Sequence, residues 1–151
     1  MKITDILDAN CVRVHLKASD KTGAITELVE VLRDSGKLTD ADDVLRAVLE
    51  REQTRSTGIA EGLAVPHGKS HGCAKLVLAI GKPATPIDFN SKDGRPCELV
   101  FLLASPVDEM GPHIQALAQI SRTWLAPQFR DAVTVAKSAE EIFTAIKRHQ
   151  S

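Results

Sequence analysis

Apolar and polar positions alternate over residues 12–16, where Arg13 and His15 separate Val12, Val14 and Leu16. That period of two predicts a half-buried strand. Ile25, Leu28, Val29 and Leu32 then recur at helical spacing, with Gly36 as the stop. Thr39-Asp40-Ala41-Asp42 reads as a capping box, opening a helix that buries Ala41, Val44, Leu45, Val48 and Leu49 and ends near Glu50 and Arg51. Five residues of Gly or Pro between 58 and 72 break the helical pattern, so the short apolar pieces there, Ile59 and Leu63 to Val65, predict short strands between turns.

Two continuous apolar runs follow, Leu76–Ile80 and Leu99–Ala104, joined by a polar link over 82–96. Runs of that length fit central strands covered on both faces. Gly111-Pro112 is expected to open a helix with Pro at its first position. Two inward faces fit that helix: Ile114, Leu117, Ala118 and Ser121, with Trp124 below, or His113, Leu117, Ile120 and Trp124. Ser138 to Glu141 caps a last helix that turns Ile142 and Ile146 inward. The expected fold is α/β: a mixed β-sheet flanked by helices on both faces, a single-domain sandwich over 1–151.

The bulk numbers remove several function classes. Apolar residues are 43% of the chain, so a core is available, and a net charge of −1 leaves no basic arm for nucleic acid. Four Phe, one Trp and no Tyr leave few rings for stacking bases. The three cysteines, Cys11, Cys73 and Cys97, are odd in number and far apart, which reads as reduced thiols in the cytoplasm. The acidic residues among the first eight argue against a signal peptide, and neither apolar run is long enough to span a bilayer.

The chemistry concentrates in Arg51 to Ser70, REQTRSTGIAEGLAVPHGKS. His67 stands between Pro66, which stiffens the backbone, and Gly68, which lets another group approach. An imidazole with a pKa near roughly 6.5 keeps a nucleophilic lone pair at neutral pH. His113 falls in the first turn of its helix, where free N–H groups and the dipole favour an anion. Should that end lie near His67, the pair fits in-line phosphoryl transfer. Arg51 and Arg55 are candidate phosphate clamps, and Ser56 and Thr57 candidate hydroxyl donors. Each also has an ordinary structural reading. Arg51 complements a helix C-terminus, Arg55 is solvated, Ser56 and Thr57 serve a turn, and His113 caps a helix. His15 sits on a polar strand face and His149 in a chain end. The spacing His67-x-x-x-His71 with Cys73 imitates a zinc site, but Gly68 and Gly72 argue against the helix it needs.

STGIAEGLAVPHGK resembles the phosphorylation-site motif of phosphotransferase-system enzyme IIA of the fructose/mannitol type, most like its nitrogen-regulatory branch. The resemblance extends along nearly the whole chain: Arg51-Glu52 upstream of the His, Pro-Ile-Asp-Phe at 86–89, and a later His that opens a helix. It implies that His67 accepts phosphate through Nε2 from the phosphohistidine of HPr, that His113 supports it by hydrogen bonding, and that Arg51 lies near the site. Ser56, Thr57 and Gly68 are the expected binding residues. It implies no metal and no bound cofactor, with phosphoenolpyruvate the ultimate donor through enzyme I and HPr. Two departures concern the branch: Ala60 where many relatives have Gly, and Ile114-Gln115 where some nitrogen-branch members place another His.

Three functions follow as expectations. The first is a cytoplasmic phosphocarrier that passes the phosphoryl group on or uses it as a signal to regulatory protein targets, favoured by the lack of a transporter domain in these 151 residues. The second is a sugar-transport component donating to a IIB partner. The third is a small zinc hydrolase.

Overall fold

The computed structural model describes residues 1–59 and 61–150, so Ala60 lies outside the described residues. The elements run β1 (Val12–Leu16), α1 (Lys21–Asp34), α2 (Ala41–Thr54), β2 (Leu63–Ala64), β3 (His67–Lys69), β4 (Val77–Pro83), β5 (Leu99–Ser105), α3 (Met110–Leu125), α4 (Pro127–Val135) and α5 (Ala139–His149).

Strands β4 and β5 form the centre of the sheet as an antiparallel pair, with Ile80 opposite Phe101. Every residue of β5 is buried, as a strand covered on both faces requires. Strand β1 adds in parallel beside β4, and its register shifts between Val14 and Leu16, where His15 takes a φ of 65°. On the other side, β2 and β3 pair in parallel with successive stretches of β5: Leu63 with Leu99, then His67 with Leu103. Between them lie Val65 and Pro66, where the edge strand is interrupted. Pro66 has no N–H for a ladder.

Helices cover both faces. Gly68 points at α2: a Cβ built there would lie 3.0 Å from the backbone nitrogen of Val48. The opposite face, carrying His67 and Ser105, meets α3 through His113. Among the described residues no helix is long and apolar enough to cross a membrane.

The structure corrects several expectations. Asp40, not Thr39, caps α2, accepting from the Asp43 N–H. Helix α2 continues to Thr54 because Glu52, a polar residue, fills the next inward position after Val44 and Val48. Glu52 is buried because it is satisfied. It accepts from both the N–H and the hydroxyl of Thr57, and the Lys21 ammonium lies 3.5 Å away. Ile59 is 45% exposed and lies outside any strand, its N–H donating to the Leu63 carbonyl, with one bridge joining Gly58 and Ala64. Helix α3 begins at Met110, so Pro112 occupies the first turn rather than the first position. Its inward face is the one through His113, Ile120 and Trp124, whereas Ile114 is 59% exposed. Helix α4 was not anticipated. It has no side-chain cap and buries only Phe129 and Val133, too few positions to show a period.

One cation ties α4 to the sheet. Lys82, on β4, donates to the carbonyls of Val133 (2.8 Å), Thr134 (3.0 Å) and Ala136 (2.8 Å) at the C-terminal end of α4. The last carbonyls of a helix lack i+4 partners, that of Val133 accepting the Ala136 N–H instead, and a positive charge suits that end of the dipole. Lys82→Met keeps the aliphatic stem and removes all three bonds. Urea unfolding is expected to show a loss of about 1–3 kcal/mol. A variant as stable as the parent would remove this role from Lys82.

Candidate phosphoryl-transfer site

The interruption between β2 and β3 places the chemistry. Val65 donates its N–H to the Thr57 carbonyl, which leaves its own carbonyl to be met from elsewhere. His67, the first residue of β3, turns its ring back so that Nδ1 lies 2.7 Å from that carbonyl. A carbonyl only accepts, so Nδ1 carries the proton. In the neutral ring Nε2 is then the free lone pair. His67 therefore sits on a strand that the sheet holds through Leu103, rather than on a turn as its Pro-Gly neighbours predict.

The rings of His67 and His113 lie 5.3 Å apart, centre to centre, at 60°. They share a cavity of about 310 Å³ with Ala47 and Arg51 of α2 and Gly68 and Lys69 of β3. Ala47 and Arg51 are four residues apart and so lie on one face of α2. No carboxylate lines the cavity among the described residues. The charges at its walls are positive, and α3 adds the positive end of its dipole from above.

Both imidazoles are held neutral. Burial lowers the pKa of His67 from the ordinary histidine value, and the charges of Arg51 and Lys69 push the same way. The Val65 carbonyl and Glu52 oppose that shift. His113 is pushed down to about 4, first by burial, then by His67 and Lys69. Its Nδ1 is hydrogen-bonded to the hydroxyl of Ser105, the last residue of β5.

The expected site residues divide into two groups. Arg51, His67, Gly68 and His113 meet at the cavity. Arg51 spends one N–H on the Arg55 carbonyl at 2.9 Å, so one residue combines the helix-end reading with a place at the site. Ser56 and Thr57 do not line the cavity. The Ser56 hydroxyl donates to the Phe89 carbonyl and that of Thr57 to Glu52, holding the loop before β2 against the 86–89 segment. Arg55 is exposed and also lies off the cavity. His67 begins a strand, so the helical spacing of a zinc pair with His71 is not formed. No group of three metal-ligating side chains is clustered among the described residues. Two residues of the site, one lining the cavity and one buried behind His113, carried no signal in the sequence. Lys69 reads as a polar residue after a glycine, and Ser105 as the end of an apolar run.

Comparison with known proteins bears on this geometry. Residues 5–149 match the family described as Phosphoenolpyruvate-dependent sugar phosphotransferase system, EIIA 2. The chain is 34% identical over 149 residues to the PTS system fructose-specific EIIABC component of Bacillus subtilis, covering 99% of this chain but only 24% of that protein. It is 31% identical over 148 residues to a Nitrogen regulatory protein of Bradyrhizobium diazoefficiens, covering 97% of this chain and 95% of that one. The crystal structure of Nitrogen Regulatory Protein IIA-Ntr from Neisseria meningitidis superposes with a TM-score of 0.86 at 27% identity, covering 95% of this chain and 98% of that one.

The depressed His113 pKa sets a sign for acid stability. As pH falls, the unfolded imidazole takes its proton near roughly 6.5, whereas the folded one holds off until about 4. The unfolded state binds more protons across that window, so stability is full above it and declines as pH falls through it. The urea midpoint of the wild type is expected to drop between about pH 7 and about pH 4.5, and to drop less in His113→Gln. An equal drop in both proteins would assign the acid sensitivity elsewhere.

Proposed function

The chain belongs to the EIIA 2 family of the phosphoenolpyruvate-dependent sugar phosphotransferase system, and from that membership we propose that it is a phosphocarrier holding its phosphoryl group on Nε2 of His67. The observation that carries this reading is the hydrogen bond from His67 Nδ1 to the Val65 carbonyl, which leaves Nε2 as the lone pair.

The donor is phospho-HPr, charged from phosphoenolpyruvate through enzyme I. In the transfer, the Nε2 lone pair of His67 attacks phosphorus in line. The donor's P–N bond breaks, and its ring, protonated at the other nitrogen, leaves as neutral imidazole. His67 keeps its Nδ1 proton, so the phosphorylated ring becomes a cation, which the Val65 carbonyl stabilises. Arg51, Lys69 and the N-terminal end of α3 balance the charge on the phosphoryl oxygens. His113 donates a hydrogen bond to one of those oxygens. Transfer onward reverses these steps toward a IIB component or ends in a phosphorylated regulator. No bound cofactor takes part.

A partner's imidazole must come within bonding distance of His67, so the two proteins must dock. Val107, Met110 and Ile114, all exposed and apolar, stand before and along the first turns of α3, beside His113, and supply an apolar rim for that encounter. Regulation and sugar transport use the same chemistry up to this point and differ in what receives the group. Resemblance to the nitrogen regulatory proteins supports a regulatory role, in which the added negative charge on His67 changes which protein docks.

Incubation with phosphoenolpyruvate, enzyme I and HPr is expected to add one acid-labile phosphoryl group to the wild type and none to His67→Ala, read by intact mass. Uptake by the variant at the wild-type rate would overturn the assignment of His67. Mixing the phosphorylated protein with a purified IIB domain then reads the acceptor. Rapid loss of the group would favour sugar transport, and retention would favour regulation.

A further inference from the structure

We propose that Ser105 is a positioning residue that donates its hydroxyl proton to Nδ1 of His113, fixing that ring as the tautomer with its proton on Nε2, facing the cavity. Its consequence for transfer rests on the phosphocarrier reading, but the tautomer itself belongs to the resting protein.

The argument is one of hydrogen-bond accounting. Ser105 is fully buried, 0% exposed, at the end of β5. Its main-chain carbonyl is occupied by the Ser70 N–H at 2.9 Å. Its hydroxyl has one partner among the described residues, Nδ1 of His113. The bond admits two directions. If Nδ1–H donated to the oxygen, the hydroxyl proton would be left with no acceptor in a place closed to water. If the hydroxyl donates, every donor of the pair is satisfied and only spare lone pairs go unused. An orphaned buried donor is the costlier defect, so the second arrangement is favoured. Nδ1 is then the acceptor, and a neutral His113 carries its proton on Nε2.

The two histidines thus become opposite tautomers, each set by a partner on the sheet. A carbonyl accepts from Nδ1 of His67 and bares its Nε2 lone pair. A hydroxyl donates to Nδ1 of His113 and leaves its Nε2 carrying hydrogen. The first is a nucleophile and the second a donor, which is the pairing that transfer of an anionic group needs. With the tautomer reversed, His113 would aim a lone pair at the phosphoryl oxygens and repel them. Ser105 therefore supplies a hydrogen-bond donor without adding a charge beside Arg51 and Lys69.

The test is a long-range nitrogen–proton NMR spectrum of uniformly 15N-labelled protein near neutral pH, with His113→Gln used to assign the signals. For wild type, His113 Nδ1 is expected at a pyridine-like shift and Nε2 at a pyrrole-like shift, opposite to His67. In Ser105→Ala the His113 signals are expected to move toward a tautomer mixture. The rate of phosphoryl uptake from phospho-HPr is expected to fall by about 10-fold, in the range typical for loss of a residue that orients a site ligand, with His67 still the residue modified. A wild-type His113 protonated on Nδ1 overturns the proposal, and so does Ser105→Ala with unchanged tautomer and rate. Failure of wild type to take up phosphate would instead strike the phosphocarrier reading and leave the tautomer result standing.

Discussion

One break in one edge strand organises this site. The chain from Leu63 to Lys69 runs along β5 as a parallel partner, but it cannot pair continuously because Pro66 has no N–H to offer. Beside that break Val65 turns its N–H to the Thr57 carbonyl rather than to β5, and its own carbonyl needs a donor. The imidazole two residues on supplies it, so the backbone at this edge chooses the protonated nitrogen of His67 and leaves Nε2 as the lone pair. Gly68 completes the arrangement. It follows the histidine because a side chain there would crowd the backbone of α2 at Val48, and α2 must come this close to bring Arg51 to the cavity.

How the site was visible in the sequence follows from the same physics. Pro66-His67-Gly68 marks itself because two backbone-special residues flank a reactive one. The two central strands show plainly because burial on both faces leaves no polar residue in the run. His113 was placed correctly by the face it shares with Ile120 and Trp124, yet a second apolar face through Ile114 competed with it. Sequence pattern does not separate the two, because Ile114 is apolar and exposed while Gln119 and Thr123 are polar and buried. Burial there is decided by partners: the Gln119 side chain donates to the Met1 carbonyl, a contact spanning most of the chain. Glu52 misled in the same way and ended the predicted helix early. Ser105 and Lys69 were missed because what matters about them is which strand they lie beside. Ser105 pairs with Lys69 across β5 and β3, a register that no local window contains.

The electrostatics of the cavity solve a conflict. A phosphoryl group needs positive surroundings, but a nucleophilic imidazole must not be protonated, and neighbouring cations help both ends. Burial lowers the proton affinity of His67, and Arg51 and Lys69 add to that effect while presenting positive charge to the cavity. The opposing hydrogen bond to the Val65 carbonyl leaves the resting ring neutral; on the proposed reading it would gain strength once phosphorylation made the ring cationic, stabilising the loaded state more than the empty one.

A carrier must also let go, which limits how tightly the cavity can hold its cargo. Binding energy spent equally on every state would only trap the phosphorylated form. The arrangement fits that limit. Arg51 has one N–H tied to the Arg55 carbonyl, so part of its fork is spent on the end of α2. Lys69 is exposed, and water weakens its field. On the proposed reading His113 would contribute a hydrogen bond from an uncharged ring. None of these groups forms a closed cage, and exposed Met110 and Ile114 flank His113 on α3, where on that reading a partner would dock. The strongest stabilisation is therefore available when two proteins face each other with the phosphoryl group between them and water excluded. That places the gain at the transition state and leaves the loaded carrier free to part with its group when an acceptor docks.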